Sequence, residues 1–371
     1  MSQIPNWLFD TINSLNNEEK SDLLQDFIFI SDNLVSIYGM PEPWRLIIDN
    51  QILIDLQHKE KNKNSENNRK RYIRLIAIFM IFNFLLNYSE KQIEIVLTPC
   101  IFYEFNQREI PGNLKIFNST LEEIFSLIRE FGVERICYFG LDNYRIARST
   151  LRNISYDEKE ILKLIKKLKK KEMQHELYYK FPSNEEDEDK LRIEMFRPPL
   201  FISQEIVSRY RINLRYFDRS VIRYIVACHL EDKIYSTNTQ TNFLKSKMKK
   251  LRNISIGMTA SISKARREQL QGLADIEMIQ YCNISRQFDH DINHTLYPLT
   301  FDKKLAHLLK ERTKLSVSVE ISGKDSDENL KEKMADFEKN YKRMDLINEN
   351  GKEMFEKFFC FYEDLTPLFD E

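Results

Sequence analysis

The stretch that decides the fold is "LIIDNQILIDL", residues 46–56, in which an apolar run ends on an acid. The three residues before Asp49 are apolar and continuous, which predicts a short buried strand. Apolar residues then resume and lead to Asp55. A carboxylate at the rim of an apolar core is costly unless a partner compensates for its lost hydration. The sequence therefore predicts that Asp49 has such a partner.

Strand and helix patterns alternate along the chain around this stretch. The stretch "LIAIFMIFNFLL", 75–86, predicts a buried helix, and "IEIVLTP", 93–99, predicts a second strand. Thr98 and Pro99 are expected to cap and to begin the next helix. Near the end of the chain, "HTLYPLTFD", 294–302, predicts a strand that ends on a carboxylate. This alternation predicts an α/β fold with a parallel sheet covered by helices.

The same patterns divide the chain into five parts. A long block without strand signals interrupts the alternation and contains several basic stretches. We expect a helical N-terminal segment over 1–44, a first core half over 45–110, a helical insertion over 111–255, a second core half over 256–322 and a helical C-terminal segment over 323–371. Two further predicted elements of the second half are a helix, "KKLAHLLKERT" (303–313), and a strand, "LSVSVEI" (315–321).

Composition excludes several classes of protein. The formal net charge of −1 gives no global attraction to nucleic acid or membrane, so any polyanion site must be a local patch. The five cysteines form no close pairs, which argues against a disulfide framework or a zinc knuckle and favours a cytoplasmic protein. The apolar run 75–86 is too short to span a bilayer, and we expect no membrane contact. No phosphate-binding GxxxxGK[ST] loop occurs, which argues against NTP hydrolysis.

Four acids are expected to meet at one edge of the sheet. Functional groups collect at the carboxyl ends of parallel strands, where Asp49 and Asp302 follow their strands. Glu104 lies within two turns of the start of the helix after the second strand, and Asp275 lies in the apolar helix "LADIEMIQY". Clustered carboxylates repel one another, and a hard divalent cation with a preference for oxygen ligands removes that repulsion. The sequence therefore predicts a site for Mg²⁺ or Mn²⁺.

These residues stand in motifs that resemble those of PIN-domain nucleases. The stretch "LIIDNQILIDL" is similar to the opening strand of that family, although Gln51 replaces the usual Asn. The stretches "IVLTPCIFYEF", "GLADIEMIQY" and "LTFDKKLAHLL" resemble its second, third and fourth motifs and occur in the family's order. The resemblance covers about 45–110 and 256–322, and the long block between Glu104 and Asp275 departs from the compact family pattern.

The resemblance implies a fold, a reaction and partners. It implies a three-layer α/β/α PIN-like core with a large helical insertion, and a metal-dependent endoribonuclease that leaves 5′-phosphate and 3′-hydroxyl ends. It implies that Asp49, Glu104, Asp275 and Asp302 are both metal ligands and catalytic residues for one or two Mg²⁺ or Mn²⁺ ions. Compact members of the family often act as toxins that cut RNA and are silenced by a protein partner. A toxin role is therefore expected, and the large insertion suggests selection of a structured substrate, or control by a protein partner in a stress or antiphage defence setting.

Each acid also has a purely structural interpretation. Asp49 suits the cap of a turn, Glu104 the surface of an amphipathic helix, and Asp302 a helix N-cap, which is compatible with metal binding. Asp55 is interpreted as an acid on a helix surface. Glu277 lies two residues from Asp275 and so on another helix face, which predicts that it does not bind the metal.

A nuclease with this net charge needs a local basic patch to hold phosphates. Lys264, Arg266 and Arg267 precede Asp275 by two to three turns and are predicted to contact nucleic acid, together with Thr300. The stretch "FDHDINH", 288–294, has no standard zinc spacing and is interpreted as a polar loop.

Two rival functions stay open at the level of sequence. One is a structure-selective DNA nuclease on the same core, since recognition of the 2′-hydroxyl group is what separates RNA from DNA. The other is a non-catalytic interaction protein that has kept the fold. The two differ in whether the acids are needed for the biological effect.

Overall fold

A four-stranded parallel sheet is the centre of the fold. The computed structural model describes residues 4–34, 37–170, 273–282, 296–303, 305, 306, 309 and 325–369. The strands are β1 (Trp44–Ile48), β2 (Ile93–Leu97), β3 (Arg135–Tyr138) and β4 (Leu296–Leu299), in the order β3-β2-β1-β4. All three strand pairs are parallel. The predicted α/β class with a parallel sheet is therefore confirmed.

The order in which strands are added to the sheet reverses between β1 and β4, although the two strands are parallel. The chain runs outward from β1 through β2 to β3, and later adds β4 on the opposite side of β1. Ile48 is in register with Leu299, so both strands end at the same level. Pro298 in β4 lacks a backbone N–H, which suits the edge position of β4 in the described sheet. In open α/β sheets, ligands bind at the carboxyl ends of strands where the order reverses.

The strand β3 was not predicted from the sequence. Its four residues are half-buried or exposed, whereas the last three residues of β1 and of β2 are buried. An outer strand with exposed side chains carries a weak apolar pattern, so residues 135–138 gave no strand signal. The structure thus contains a strand within the range 111–255, for which the sequence predicted a helical insertion.

The chain divides into two compact units. The sheet unit comprises the described residues within Met1–Leu97, Gly112–Phe139 and Tyr281–Glu371. Its helices are α1 (Asn6–Asn13), α2 (Asn17–Leu34), α3 (Asn50–Gln57), α4 (Lys59–Lys63), α5 (Arg69–Asn83, continued by a π-helical turn at Phe84–Tyr88), α7 (Leu114–Arg129) and α10 (Asp327–Leu365). Helices α2 and α5 pack on each other, and α3 contacts both α5 and α7.

Helix α5 is the apolar helix expected from the sequence. Eleven of its fifteen residues are buried. The segment Glu66–Tyr88 is long and apolar enough to cross a membrane, but 72% of its most apolar window is buried inside the fold. Core helices pass the same test of length and composition.

The C-terminal helix α10 docks through its second half. Phe358 and Phe361 make ring contacts with Phe27 and Phe84 at centroid distances of 5.2–6.2 Å. The aromatic end of the C-terminal helix therefore packs against the rest of the sheet unit. At the start of this contact, the backbone of Gly39 lies directly against α10, and a Cβ atom at Gly39 would overlap the carbonyl oxygen of Ile347.

The second unit, here the helical unit, comprises the described residues within Thr98–Pro111 and Gly140–Gln280. It contains α6 (Pro99–Phe105), α8 (Tyr144–Lys170) and all of α9 (Leu273–Tyr281) except its last residue. Pro99 begins α6 after Thr98 in extended conformation, as predicted, although the Thr98 side chain makes no capping hydrogen bond. Helices α6 and α8 contact each other.

Several predictions fall outside the described residues. They are the basic residues Lys264, Arg266 and Arg267, the polar loop 288–294, the strand 315–321 and most of the helix 303–313.

Candidate functional site

Asp49 and Asp302 lie together at the switch point of the sheet unit. Asp49 follows β1, and its backbone N–H donates to the carbonyl oxygen of Leu299 at the end of β4 at 2.9 Å. The hydroxyl of Thr300 donates to Asp49 Oδ2 at 2.5 Å, and the Asp302 backbone N–H donates to Thr300 Oγ1 at 3.1 Å. Thr300 thus connects the two acids, as expected for strands that end side by side. We call Asp49, Thr300 and Asp302 the switch-point cluster.

Both acids of the switch-point cluster also act as caps. Asp49 Oδ1 accepts a hydrogen bond from the backbone N–H of Gln51 at 2.9 Å and so caps α3. Asp302 Oδ1 accepts from the backbone N–H of Leu305 at 2.9 Å. A carboxylate oxygen has two acceptor sites, so capping and metal binding are compatible in one side chain. The structural role and the predicted ligand role therefore coexist.

The charge of Asp49 is unfavourable in this position. Burial raises the pKa of its carboxyl group, hydrogen bonds from Thr300 and Gln51 oppose that rise, and the negative charge of Asp302 adds to it. Desolvation and a neighbouring like charge are the two effects that a bound cation reverses. Their coincidence at a switch point makes this cluster a candidate site.

Thr300 is the residue whose position adds most to the sequence prediction. It was predicted to contact nucleic acid, but only 3% of its surface is exposed and its hydroxyl is bonded to Asp49. In this arrangement it fixes the orientation of the Asp49 carboxylate. The sequence signal was its place two residues before Asp302, and the contact itself joins residues 251 positions apart.

Asp55 is buried, and its interpretation as a surface acid was wrong. Only 6% of its surface is exposed. Its Oδ1 accepts from Gln51 Nε2 at 2.8 Å and lies 3.5 Å from Nη1 of Arg71. Helix α3 is packed against α5 and α7, so an acid on its inner face becomes buried. Asp55 thus holds the side chain of Gln51, and the backbone N–H of Gln51 donates to the capping carboxylate of Asp49.

Two arginines of α5 lie near the switch-point cluster. The guanidinium group of Arg74 is 5.7 Å from the ring centroid of Phe301, the residue before Asp302. Arg71 reaches Asp55, and the side chains of Arg71 and Arg74 are 48% and 42% exposed. Both are solvent-accessible cations of the sheet unit, and neither was among the residues predicted to contact phosphate. They lie in a helix that is otherwise mostly buried, so no local sequence pattern predicted a role for them at the surface.

Glu104 lies in the helical unit and contacts both α9 and Arg108. Its Oε1 accepts from the backbone N–H of Leu273, the first residue of α9, at 2.9 Å. The same oxygen is 3.5 Å from Nη2 of Arg108, and Arg108 also pairs with Glu158 through a short contact. Glu104 is half-buried, so its interpretation as an ordinary surface residue does not hold.

Of the two acids in α9, Glu277 is the buried one. Asp275, the predicted ligand, is half-buried, whereas 1% of the surface of Glu277 is exposed. Glu277 Oε2 accepts from the backbone N–H of Cys100 at 2.9 Å. Its other oxygen, Oε1, makes no hydrogen bond within the described part of the chain. The prediction that the two acids occupy different helix faces agrees with this difference in burial.

Burial raises the pKa of Glu277 to about 7, although the Thr98 hydroxyl and the Cys100 N–H oppose the rise. The folded protein therefore binds this proton more tightly than the unfolded chain, in which the pKa of the glutamate side chain is 4.5. Stability from this group is complete below the unfolded pKa and is lost as the pH rises through the folded pKa. Once the pH is above about 7, this group has lowered the free energy of unfolding by on the order of 3 kcal/mol.

We expect Glu277→Gln to remove this pH dependence. In EDTA, the variant should match the wild type near pH 4.5 and be more stable near pH 8 by about 2–3 kcal/mol, because no buried charge forms. Urea denaturation across this pH range measures the difference. Glu109→Gln, at an exposed acid of the same unit, is the control and should leave the profile unchanged. Parallel profiles for wild type and Glu277→Gln would contradict the assignment.

Within the part of the chain that the structure describes, no three His, Cys, Asp or Glu side chains lie close enough together to hold a metal ion. Asp49 and Asp302 share the switch-point cluster in the sheet unit, and Glu104 and Asp275 belong to the helical unit.

Comparison with family models, with curated proteins and with solved structures found no match to this chain.

Proposed function

We propose that this chain is a metal-dependent nuclease with a PIN-like, three-layer core that cuts RNA. The observation that carries the proposal is the switch-point cluster, in which Asp49 and Asp302 share Thr300 at the carboxyl ends of β1 and β4. The family resemblance of four motifs in order is the second support. The roles of Glu104 and Asp275 as further ligands stay predictions of that resemblance.

The donor set of the switch-point cluster fits a hard divalent cation. Asp49 and Asp302 offer carboxylate oxygens, which Mg²⁺ and Mn²⁺ prefer. The raised pKa of Asp49 has causes that a cation would offset, namely burial and the charge of Asp302. When bound, such an ion would supply an activated water and would stabilise the charge that develops on the phosphodiester.

The chain's own residues would orient the reaction. Thr300 and the backbone N–H of Gln51 hold the two oxygens of Asp49 in place, and Leu305 holds one oxygen of Asp302. A site whose oxygens are already fixed by hydrogen bonds in the folded protein loses little energy to reorganisation during reaction. The exposed guanidinium groups of Arg71 and Arg74 are candidates for contacts with phosphate, which a protein of net charge −1 needs locally.

The proposal is tested with total RNA and matched RNA and DNA oligonucleotides. We expect cleavage of RNA in Mn²⁺ or Mg²⁺, no cleavage in EDTA, and 5′-phosphate and 3′-hydroxyl product ends. Mapping of the product ends and quantification of both substrates measure this. Preferential cleavage of DNA would replace the proposal by the DNA nuclease alternative, and products with 2′,3′-cyclic phosphate ends would contradict metal-activated water as the nucleophile.

A further inference from the structure

The N-terminal half of α10 carries an apolar stripe with heptad spacing. Its members recur at alternating intervals of four and three residues, which is the spacing of a helix that packs along another helix. We call this set the α10 stripe: Leu330, Met334, Phe337, Tyr341 and Met344.

Large apolar side chains of the α10 stripe are in contact with solvent. Met334 is 42% exposed and Tyr341 is 47% exposed. The rings of Phe337 and Tyr341 stack with their centroids 6.1 Å apart, so the two side chains form one continuous apolar surface. The docking contacts of the helix come later, where Ile347, Met354 and Phe361 are buried. Exposed apolar stripes of this kind mark protein interaction sites.

Charges beside the stripe are arranged to match a reversed copy of the same helix. Lys331, Glu338 and Asp345 follow one another at intervals of seven residues along one flank, so the flank is basic first and acidic later. If a second helix runs antiparallel and Leu330 meets the partner's Tyr341, then Lys331 lies beside the partner's Glu338. The two-fold symmetry of such a pair makes this contact twice. Opposite charges on such flanks set partner choice and orientation.

We propose that a second copy of this chain covers the α10 stripe and that the two copies of α10 pack antiparallel over residues 330–344. The short stripe predicts a reversible dimer with a Kd on the order of micromolar, since a small interface gives weak association. The stripe contains no residue of the switch-point cluster and no predicted metal ligand, so the dimer is independent of the proposed nuclease activity.

The proposal is tested with the full chain by sedimentation across a dilution series. We expect a monomer–dimer equilibrium in the wild type and about a hundredfold weaker association in the double variant Met334→Glu, Tyr341→Glu. The matched control is Leu346→Glu, because Leu346 is 56% exposed, lies in the same helix and is outside the stripe. It should dimerise like the wild type. Equal melting temperatures for all three proteins at concentrations well below the Kd, where each is a monomer, would show that the substitutions do not act through folding.

Orientation is tested by disulfide cross-linking in a background with the exposed Cys360 replaced by serine. An antiparallel pair predicts cross-links between Leu330→Cys and Tyr341→Cys proteins when they are mixed, and few within either protein alone. Cross-links confined to identical positions would overturn the antiparallel arrangement. A wild type that stays monomeric at every concentration, or a Leu346→Glu variant that dissociates as much as the stripe variant, would overturn the dimer.

Discussion

Replacement of Asp49 and Asp302 by asparagine is expected to abolish metal-dependent cleavage of RNA. Asparagine keeps the size of each side chain and an oxygen that can accept the capping hydrogen bonds from Gln51 and Leu305. It removes both negative charges, so a divalent cation loses its main attraction to the site. We expect a loss of rate on the order of a thousandfold or more, the scale on which removal of transition-state charge stabilisation acts.

A second measurement separates lost metal binding from lost structure. Asp49 is half-buried next to another carboxylate, and both effects raise its pKa, so its neutral replacement should leave the metal-free protein as stable as the wild type or more stable. Mn²⁺ should raise the melting temperature of the wild type and not that of the double variant, because only a ligand bound to the folded state stabilises it. The control is Asp10→Asn, at an exposed acid of the same unit.

The nuclease proposal fails if the double variant cleaves RNA like the wild type in the presence of Mn²⁺. It fails equally if Mn²⁺ raises the melting temperatures of wild type and double variant by the same amount. If instead the double variant keeps the biological effect of the wild type while cleavage is lost, the function of the chain is interaction rather than hydrolysis.

Replacement of Gly39 by alanine is expected to have the largest effect on stability. The added Cβ would overlap the carbonyl oxygen of Ile347 and would lie 2.7 Å from its carbonyl carbon and 2.9 Å from the backbone nitrogen of Gly351. These are backbone atoms of α10 and cannot rotate away, so the helix must shift as a body. That shift disturbs the ring contacts of Phe358 and Phe361. We expect a loss of about 3 kcal/mol or more.

Urea denaturation measures this loss, and Gly112→Ala is its matched control. A Cβ atom at Gly112 meets nothing within 4 Å. Its replacement should leave stability unchanged or raise it by up to about 1 kcal/mol, because alanine reduces the entropy of the unfolded chain. Equal denaturation midpoints for Gly39→Ala and the wild type would show that α10 does not approach Gly39 as described.

Several elements were predictable because their signals are local. The apolar run before Asp49 gave β1, the run "IEIVL" gave β2, and Pro99 marked the start of α6. Strand β3 escaped because its side chains are half-buried or exposed and leave no apolar run. Local patterns report burial on a face, and β3 has little of it, whereas all four residues of the other edge strand, β4, are buried.

The positions of two acids were predictable from the sequence, and the burial of two others was not. The positions of Asp49 and Asp302 after apolar runs follow from the sequence. The burial of Asp55 and Glu277 does not, since each lies in a short helix whose inner face is set by distant elements. Periodicity gives the faces of a helix, and only packing decides which of them is covered.

The sequence by itself determined the parallel α/β class and the placement of Asp49 and Asp302 at strand ends, because apolar runs and capping residues act over a few neighbouring positions. Only the tertiary structure decided that Thr300 bonds to Asp49 across 251 residues, that β4 lies beside β1, and that Gly39 touches α10. Contacts of this kind depend on how strands are ordered and how closely backbones approach. No pattern among neighbouring residues encodes either property.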